Sequence, residues 1–125
     1  MLICVNDNRA HGEDVNYDRL GRIASAPLSA GDAERLAEIM RALASPVRLR
    51  ILSVLRIRPS TVTDLGAQLG VGQTTLSNHL RLLRNLSVVR GDREGRHIHY
   101  VLFDDHVADL FDEAMGHLRH LPNDR

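Results

Sequence analysis

TVTDLGAQLGVGQTTLSNHLRLLRN, residues 61–85, is the stretch that decides the fold. Val62, Leu65 and Leu69 share one side of a short helix over about 62–69, and Gly70 stops it. Only Val71 and Gly72 separate this helix from the next, over about 73–86, in which Leu76, Leu80 and Leu83 recur at i, i+4 and i+7. Two helices joined by so short a glycine-containing turn make a helix-turn-helix. Upstream, Pro59-Ser60-Thr61 breaks the chain, and Ser45-Pro46 supplies a cap and a first-turn proline for a helix running to about Arg56. Leu49, Ile51, Leu52 and Leu55 form its inner side and Arg48, Arg50 and Arg56 its wet side. Ser29-Ala30-Gly31-Asp32 offers caps for a helix over about 31–44 that carries Leu36, Ile39, Met40 and Leu43 at helical spacing. Downstream come Val88-Val89-Arg90, a turn region holding Gly91 and Gly95, and the alternating run His97 to Leu102, which read as a two-stranded hairpin. Asp104 then opens a last amphipathic helix to about His120, with Val107, Leu110, Phe111, Met115 and Leu118 apolar. The order αααα-ββ-α is that of a mainly α winged helix. Residues 1–28 show no sustained period and read as an arm beside a folded domain of residues 29–125.

The composition is compatible with that assignment once the charges are placed. The chain has 125 residues, and its 16 Arg balance 16 acids to a net charge of zero. The zero is a sum over unlike parts. Residues 1–40 carry a net of −3, residues 41–96 carry ten Arg against Asp64, Asp92 and Glu94 for a net of +7, and residues 97–125 carry −4. The helix-turn-helix and hairpin are thus the basic part, and Arg suits phosphate because its planar fork binds oxygens in pairs. One Cys excludes a disulfide framework and any site built from thiolates alone. No run reaches the ~20 apolar residues a membrane span needs, and Met1 to Val5 is too short for a signal peptide, so a soluble cytoplasmic protein is expected.

In the helix of about 73–86, Thr74, Ser77, Asn78 and Arg81 recur at i, i+3, i+4 and i+7 on a face distinct from the leucines. Short hydrogen-bonding side chains with one Arg suit a helix entering the major groove, where such groups reach base edges. Gln73 stands at the helix start, within reach of a base or a phosphate. Arg93 and Arg96 flank the hairpin turn, where a wing meets phosphates or the minor groove. Double-stranded operator DNA is the expected partner, with no membrane and no small-molecule substrate.

The last helix carries a second kind of chemistry. Asp104-x-His106 is followed, after ten intervening residues, by His117-x-x-His120. His106 and His117 fall about 20° apart around the helix but roughly 16 Å apart along it. A zinc–nitrogen bond is about 2.0–2.1 Å long, so one helix cannot bring both ends to one ion. Two copies packed antiparallel can, each site taking Asp104 and His106 from one copy and His117 and His120 from the other. The spacing therefore predicts a homodimer with two equivalent four-ligand sites. His97 and His99 share one face of the wing strand, where they act as surface or phosphate contacts. His79 lies beside the apolar side of its helix and reads as a core residue rather than a ligand. Cys4 and His11 of the arm are further candidate ligands.

The chain resembles the ArsR/SmtB family of metal-sensing repressors over about residues 30–120. The resemblance is carried by the run Leu43 to Leu52 (LASPVRLRIL), by Ser77 to Arg84 (SNHLRLLR), by Gly91 to Arg96 (GDREGR), and by the Asp-x-His and His-x-x-His pairs. It implies that Asp104, His106, His117 and His120 are sensing ligands and that the first and last helices form the dimer interface. Family members with a second site place a Cys in a Cys-Val-x-Asp-Leu context, where this chain has Thr61-Val62-Thr63-Asp64-Leu65; a Cys-Val-Cys site is absent. Ser25 to Leu28 and the last helix are similar to the nickel/cobalt sensors. Those sensors draw extra ligands from a His-bearing N-terminus and tail, and Met1-Leu2 and the residues after His120 lack them. Four-coordination, hence Zn(II) or Co(II), is favoured over Ni(II).

The resulting expectation is a repressor that binds its operator as a metal-free homodimer and is released by metal, freeing efflux or resistance genes. Ligating imidazoles must be neutral, so sensing fades as pH falls through the histidine range. A winged-helix repressor answering a non-metal signal is the alternative. A metallohydrolase needs an open coordination position and a general base. Four protein ligands leave no open position, and the chain has no His-Glu-x-x-His helix.

Overall fold

The structure is a computed structural model that describes residues 26–122. The expected arm, with Cys4 and His11, lies outside the described residues apart from 26–28. The element order is α1 (Ala30–Leu43), α2 (Pro46–Leu55), α3 (Val62–Leu69), α4 (Gln73–Asn85), β1 (Val89–Glu94), β2 (His97–Leu102) and α5 (Asp105–His120). This is the αααα-ββ-α order that periodicity and capping residues predict. None of these helices is long and apolar enough to cross a membrane.

The chain divides into two units at residues 35 and 36, inside α1. In the first, Ser29 starts the helix: its Oγ accepts the Asp32 N–H at 3.1 Å and its carbonyl accepts the Ala33 N–H at 2.9 Å. Asp32 in the first turn complements the helix dipole.

The second unit, residues 36–125, holds the core. Each of its helices begins where local chemistry dictates. Ser45 caps α2 by accepting the Arg48 N–H at 3.3 Å, with Pro46 in the first turn. Thr61 and Asp64 form a capping box on α3, each side chain accepting the other's backbone N–H. Gly70 ends α3 in the left-handed region, at φ 70°, and its N–H donates to the Gly66 carbonyl. Helix α4 ends in a Schellman motif, the Val88 N–H reaching the Leu83 carbonyl and the Ser87 N–H the Arg84 carbonyl. Ser87 occupies the left-handed position, at φ 58°, that glycine usually takes.

The inward faces converge. Ile51, Leu52, Val54 and Leu55 of α2, Leu65 of α3 and Leu76, Leu80 and Leu83 of α4 are buried with Val88, Val89 and Tyr100 of the hairpin region. Leu49, expected on the inner side of α2, is exposed, and Val54 lies inward instead. The wing is tied to this core at its base. Ser60, wholly buried, exchanges both backbone hydrogen bonds with Tyr100, at 2.8 and 3.1 Å. The hairpin thereby grips the loop between α2 and α3.

The wing departs from the expected turn in one respect. Gly91 lies inside β1, opposite Tyr100, and the loop is only Gly95 and Arg96. Gly95 at φ 65° is the first loop residue, as a type II′ hairpin requires. Gly91 is glycine for a different reason: a Cβ there would meet Ile98 Cγ2 at 2.7 Å and the Tyr100 ring at 3.4 Å. The cross-strand side chains occupy the space above it. Gly91→Ala is therefore expected to destabilise the domain by about 1–3 kcal/mol, the usual cost of overpacking. Urea unfolding reads this, and a midpoint equal to the parent's would refute the steric argument.

Candidate nucleic-acid interface and metal half-sites

The buried leucines of α4 leave the opposite side of that helix to solvent. Gln73, Thr74, Ser77, Asn78 and Arg81 are all exposed. Gln73 Nε2 donates to Thr63 Oγ1 at 3.1 Å, joining the start of α4 to α3. Arg81 Nη2 donates to Asn78 Oδ1 at 2.7 Å, one helical turn away. The α4 N-terminus carries no side-chain cap. On the wing, Arg96 sits in the loop and Arg93 on β1, both exposed, with Arg93 Nη1 reaching the Gly95 carbonyl at 3.4 Å. Arg90 is engaged elsewhere, by the Phe103 carbonyl at 2.9 Å and Asp92 at 3.3 Å.

Arg48 overturns its expected place on the wet side of α2. It is half-buried. Its Nε donates to the Ala42 carbonyl at 2.6 Å and its Nη2 to the Arg41 carbonyl at 3.5 Å. Carbonyls at the end of α1 carry the negative pole of the dipole, which a guanidinium satisfies; the Arg41 carbonyl also accepts the Ala44 N–H at 3.1 Å. Its Nη1 lies 3.2 Å from His79 Nδ1 on α4. A guanidinium only donates, so Nδ1 is the acceptor and the His79 proton resides on Nε2. His79, expected in the core, is only half-buried, and its ring joins α4 to α2 through Arg48.

Burial and the nearby Arg48 charge push the His79 pKa below the ordinary imidazole value of 6.5. The unfolded chain thus binds a proton in a range where the folded chain does not, and the stability from neutral His79 is full above 6.5 and declines as pH falls below it. Stability should drop between about pH 7.5 and about pH 5.5, and the drop should shrink in His79→Gln, which keeps an acceptor but no titrating ring. Urea midpoints at the two pH values measure this, and an equal drop in both proteins would place the titration elsewhere.

His97 is exposed at the end of the wing. His99 Nδ1 lies 3.4 Å from Glu94 Oε1 but lacks hydrogen-bond geometry and is otherwise unpartnered. Asp64 is committed to the capping box, and the Thr61 backbone and hydroxyl bonds lower its pKa.

Helix α5 displays the metal-type donors. Asp104 is its N-cap, with Oδ1 accepting the Val107 N–H at 3.1 Å and Oδ2 lying 3.4 Å from His106 Nδ1. Against the desolvation that would raise it, the Val107 N–H and His106 hold the Asp104 pKa below the usual carboxylate range. His117 and His120 stand exposed in the last turn. Ten residues lie between His106 and His117, a rise of roughly 16 Å along the axis. Among the described residues no group of three or more potential ligands comes together within one protomer. Each protomer carries two pairs of donors.

The packing of α5 explains which side remains open. Val107 and Phe111 lie against the core, and Asp112 is held by both Nε and Nη2 of Arg56, at 2.9 and 2.7 Å. That pairing lowers the Asp112 pKa and raises that of Arg56. No residue of α5 is fully buried, and Leu110 and Leu118 are 39% and 59% exposed. At 100° per residue, Leu110 lies within about 40° of both His106 and His117. One exposed stripe therefore runs donor, leucine, donor. On α1, Met40 is likewise 43% exposed.

Sequence reasoning missed Ser60 and Arg48. Ser60 bears no patterned signal, and Arg48 looks like any helical surface Arg until the end of α1 is placed beside it.

The fold and the exposed polar face of α4 define a winged helix-turn-helix DNA-binding protein. Residues 45–90 match the family model for bacterial regulatory proteins of the arsR family. The chain is 52% identical over 97 residues, 78% of this chain and 81% of the other, to the HTH-type transcriptional regulator NmtR of Mycobacterium tuberculosis. It is 35% identical over 105 residues, 84% of this chain and 80% of the other, to the transcriptional repressor SmtB homolog of Synechocystis sp.. The homodimeric winged helix-turn-helix DNA-binding domain of a possible ArsR-family regulator from Mycobacterium bovis superimposes with a TM-score of 0.72, at 29% identity, covering 80% of this chain and 96% of that one. The chain belongs to the arsR family of bacterial regulatory proteins, and it is a transcriptional regulator rather than an enzyme.

Proposed function

We propose that this chain is a metal-responsive repressor that acts in the cytoplasm as a homodimer. Residues 29–125 serve as its DNA-binding and dimerisation domain. Without metal, the dimer holds a pseudo-palindromic operator. Gln73, Thr74, Ser77, Asn78 and Arg81 of each α4 meet a major groove, and Arg93 and Arg96 of each wing meet the flanking backbone. Zn(II) or Co(II), with Ni(II) a further candidate, releases the operator and frees metal efflux or resistance genes.

One observation carries this reading: the exposed stripe of α5, with a donor pair at each end and a leucine between them. Antiparallel pairing of two such helices buries the leucines and sets Asp104 and His106 of one protomer beside His117 and His120 of the partner subunit. The donor set suits the ion. Three imidazoles and a carboxylate fill a tetrahedral shell, and no thiolate is required. A bound ion supplies a cross-link between the two protomers. Asp104 contributes through the oxygen that faces His106, while its other oxygen keeps the α5 cap. The two α4 helices must lie about 34–36 Å apart to enter successive major grooves, so a dimer held in a different shape loses its fit. The coupling is mutual, and DNA weakens metal binding by the factor that metal weakens DNA binding.

The test is a titration of zinc, cobalt and nickel, each separately, into a labelled operator complex at fixed salt. Release by at least one metal is the expected result. An affinity unchanged by all three would favour a repressor answering a non-metal signal, and a protein that is monomeric under every condition would exclude the shared site.

A further inference from the structure

The Asn78–Arg81 pair constrains which base α4 reads. Arg81 Nη2 donates to Asn78 Oδ1 at 2.7 Å, a short charge-assisted bond one turn apart on the exposed face. A guanidinium has five donors and no acceptor, so the amide atom that faces it is the carbonyl. The Asn78 NH₂ group therefore points away from Arg81.

This arrangement has a cost for one kind of recognition. An Asn that reads adenine uses both halves of its amide, accepting from N6 and donating to N7. One lone pair of the accepting half is already engaged by Arg81, whose guanidinium stands where an adenine amino group would approach. One lone pair of that oxygen remains, beside the Asn78 NH₂ and the unused N–H groups of Arg81, so the pair faces a ligand with a donor-rich, positively charged surface. In the major groove, adenine offers one acceptor beside a donor, thymine one acceptor beside a methyl, and cytosine a donor. Guanine alone offers two neighbouring acceptors, N7 and O6.

We propose that Asn78 and Arg81 act as one guanine-reading unit, Arg81 contacting N7 and O6 and Asn78 serving as the positioning residue that holds the guanidinium plane. The proposal rests on α4 being the DNA-reading helix. It assigns each operator half-site a guanine at the base pair facing the second turn of α4, and it ranks that guanine contact above the adenine contact open to a lone Asn.

The experiment uses the full chain without metal, at fixed salt, on a duplex library with two randomised half-sites. The best selected duplex is then titrated with single-base replacements. The parent protein should select guanine at one position per half-site. Adenine or 7-deazaguanine, which lacks N7, should weaken binding there by about tenfold or more. Arg81→Ala should erase that difference. Asn78→Asp keeps an oxygen for Arg81 and should retain the guanine-to-adenine ratio while binding every duplex more weakly, because it adds negative charge near phosphates. Asn78→Ala should reduce the ratio.

Selection of adenine at a position whose preference vanishes in Asn78→Ala and survives in Arg81→Ala would overturn the unit while leaving α4 as the reader. A full parental ratio in Asn78→Ala would overturn the positioning role. Affinity and salt dependence unmoved by Ala at Gln73, Thr74, Ser77, Asn78 and Arg81 would instead remove α4 from the interface, and the proposal with it.

Discussion

A His117→Ala variant is expected to retain metal-free operator binding and to lose release by zinc or cobalt. His117 sits in the last turn of α5, exposed and far from the polar face of α4 in sequence, so its truncation leaves the DNA-facing groups in place. It removes one of the four proposed donors at each of two equivalent sites. Coupling between effector and ligand is typically ~1–3 kcal/mol, or about 5- to 150-fold in operator affinity, and this is the effect that should vanish. Asp104→Ala is the weaker test, because Asp104 also caps α5 through the Val107 N–H, and loss of a cap alone costs about 1 kcal/mol. His117 carries no such second duty. The measurement is operator affinity by fluorescence anisotropy with and without metal, read beside cobalt absorption for coordination number. Normal release in His117→Ala would place the sensing site elsewhere.

Leu76→Ala should be among the most destabilising substitutions in the domain, by about 2–5 kcal/mol. Leu76 is 0% exposed and is part of the cluster where α2, α3 and α4 meet. It also packs beneath the helix-turn-helix turn: a Cβ on Gly66 would touch its Cδ1 at 3.6 Å. Truncation leaves a cavity where α2, α3 and α4 meet. Against a domain stability of about 5–15 kcal/mol, such a loss is large. Urea unfolding would register it as a lowered midpoint. Leu82→Ala is the control, at 38% exposure, with an expected change of about 0.5 kcal/mol or less. A Leu76→Ala midpoint close to that of Leu82→Ala would contradict the assigned core.

The helices were legible because their signals are local. Ser45-Pro46, the Thr61/Asp64 box and Gly70 act within one turn of themselves, and they place element ends whatever the rest of the chain does. The leucine spacing of α4 likewise separates its buried face from its polar one before any partner is known. Glycine identity was less informative. Gly91 and Gly95 look alike in sequence, yet one needs a positive φ and the other needs the absence of a side chain. Only the strand register distinguishes them, because the obstacle to a Gly91 side chain comes from Ile98 and Tyr100 across the hairpin.

The donor pairs of α5 were equally visible as spacing. The structure adds that Asp104 is the helix cap and faces His106, and that His117 and His120 share the exposed last turn. Joining the pairs would take a second copy, and that proposed step has His117→Ala as its test.

By itself, then, the sequence determined the order of elements, the polar face of α4, the basic middle of a chain with no net charge and the two-ended donor pattern of α5. Each is a property of residues close in the chain, or of a helical repeat that carries a pattern forward without outside help. Tertiary structure alone decided that Arg48 turns inward to join α1 and α4, with His79 as its partner 31 residues away, and that Ser60 pins the wing. It also decided which side of α5 stays open. These depend on where a donor finds an acceptor after the chain has folded back on itself. A buried polar group must be satisfied by whatever packing brings near, and no spacing in the sequence records which group that will be.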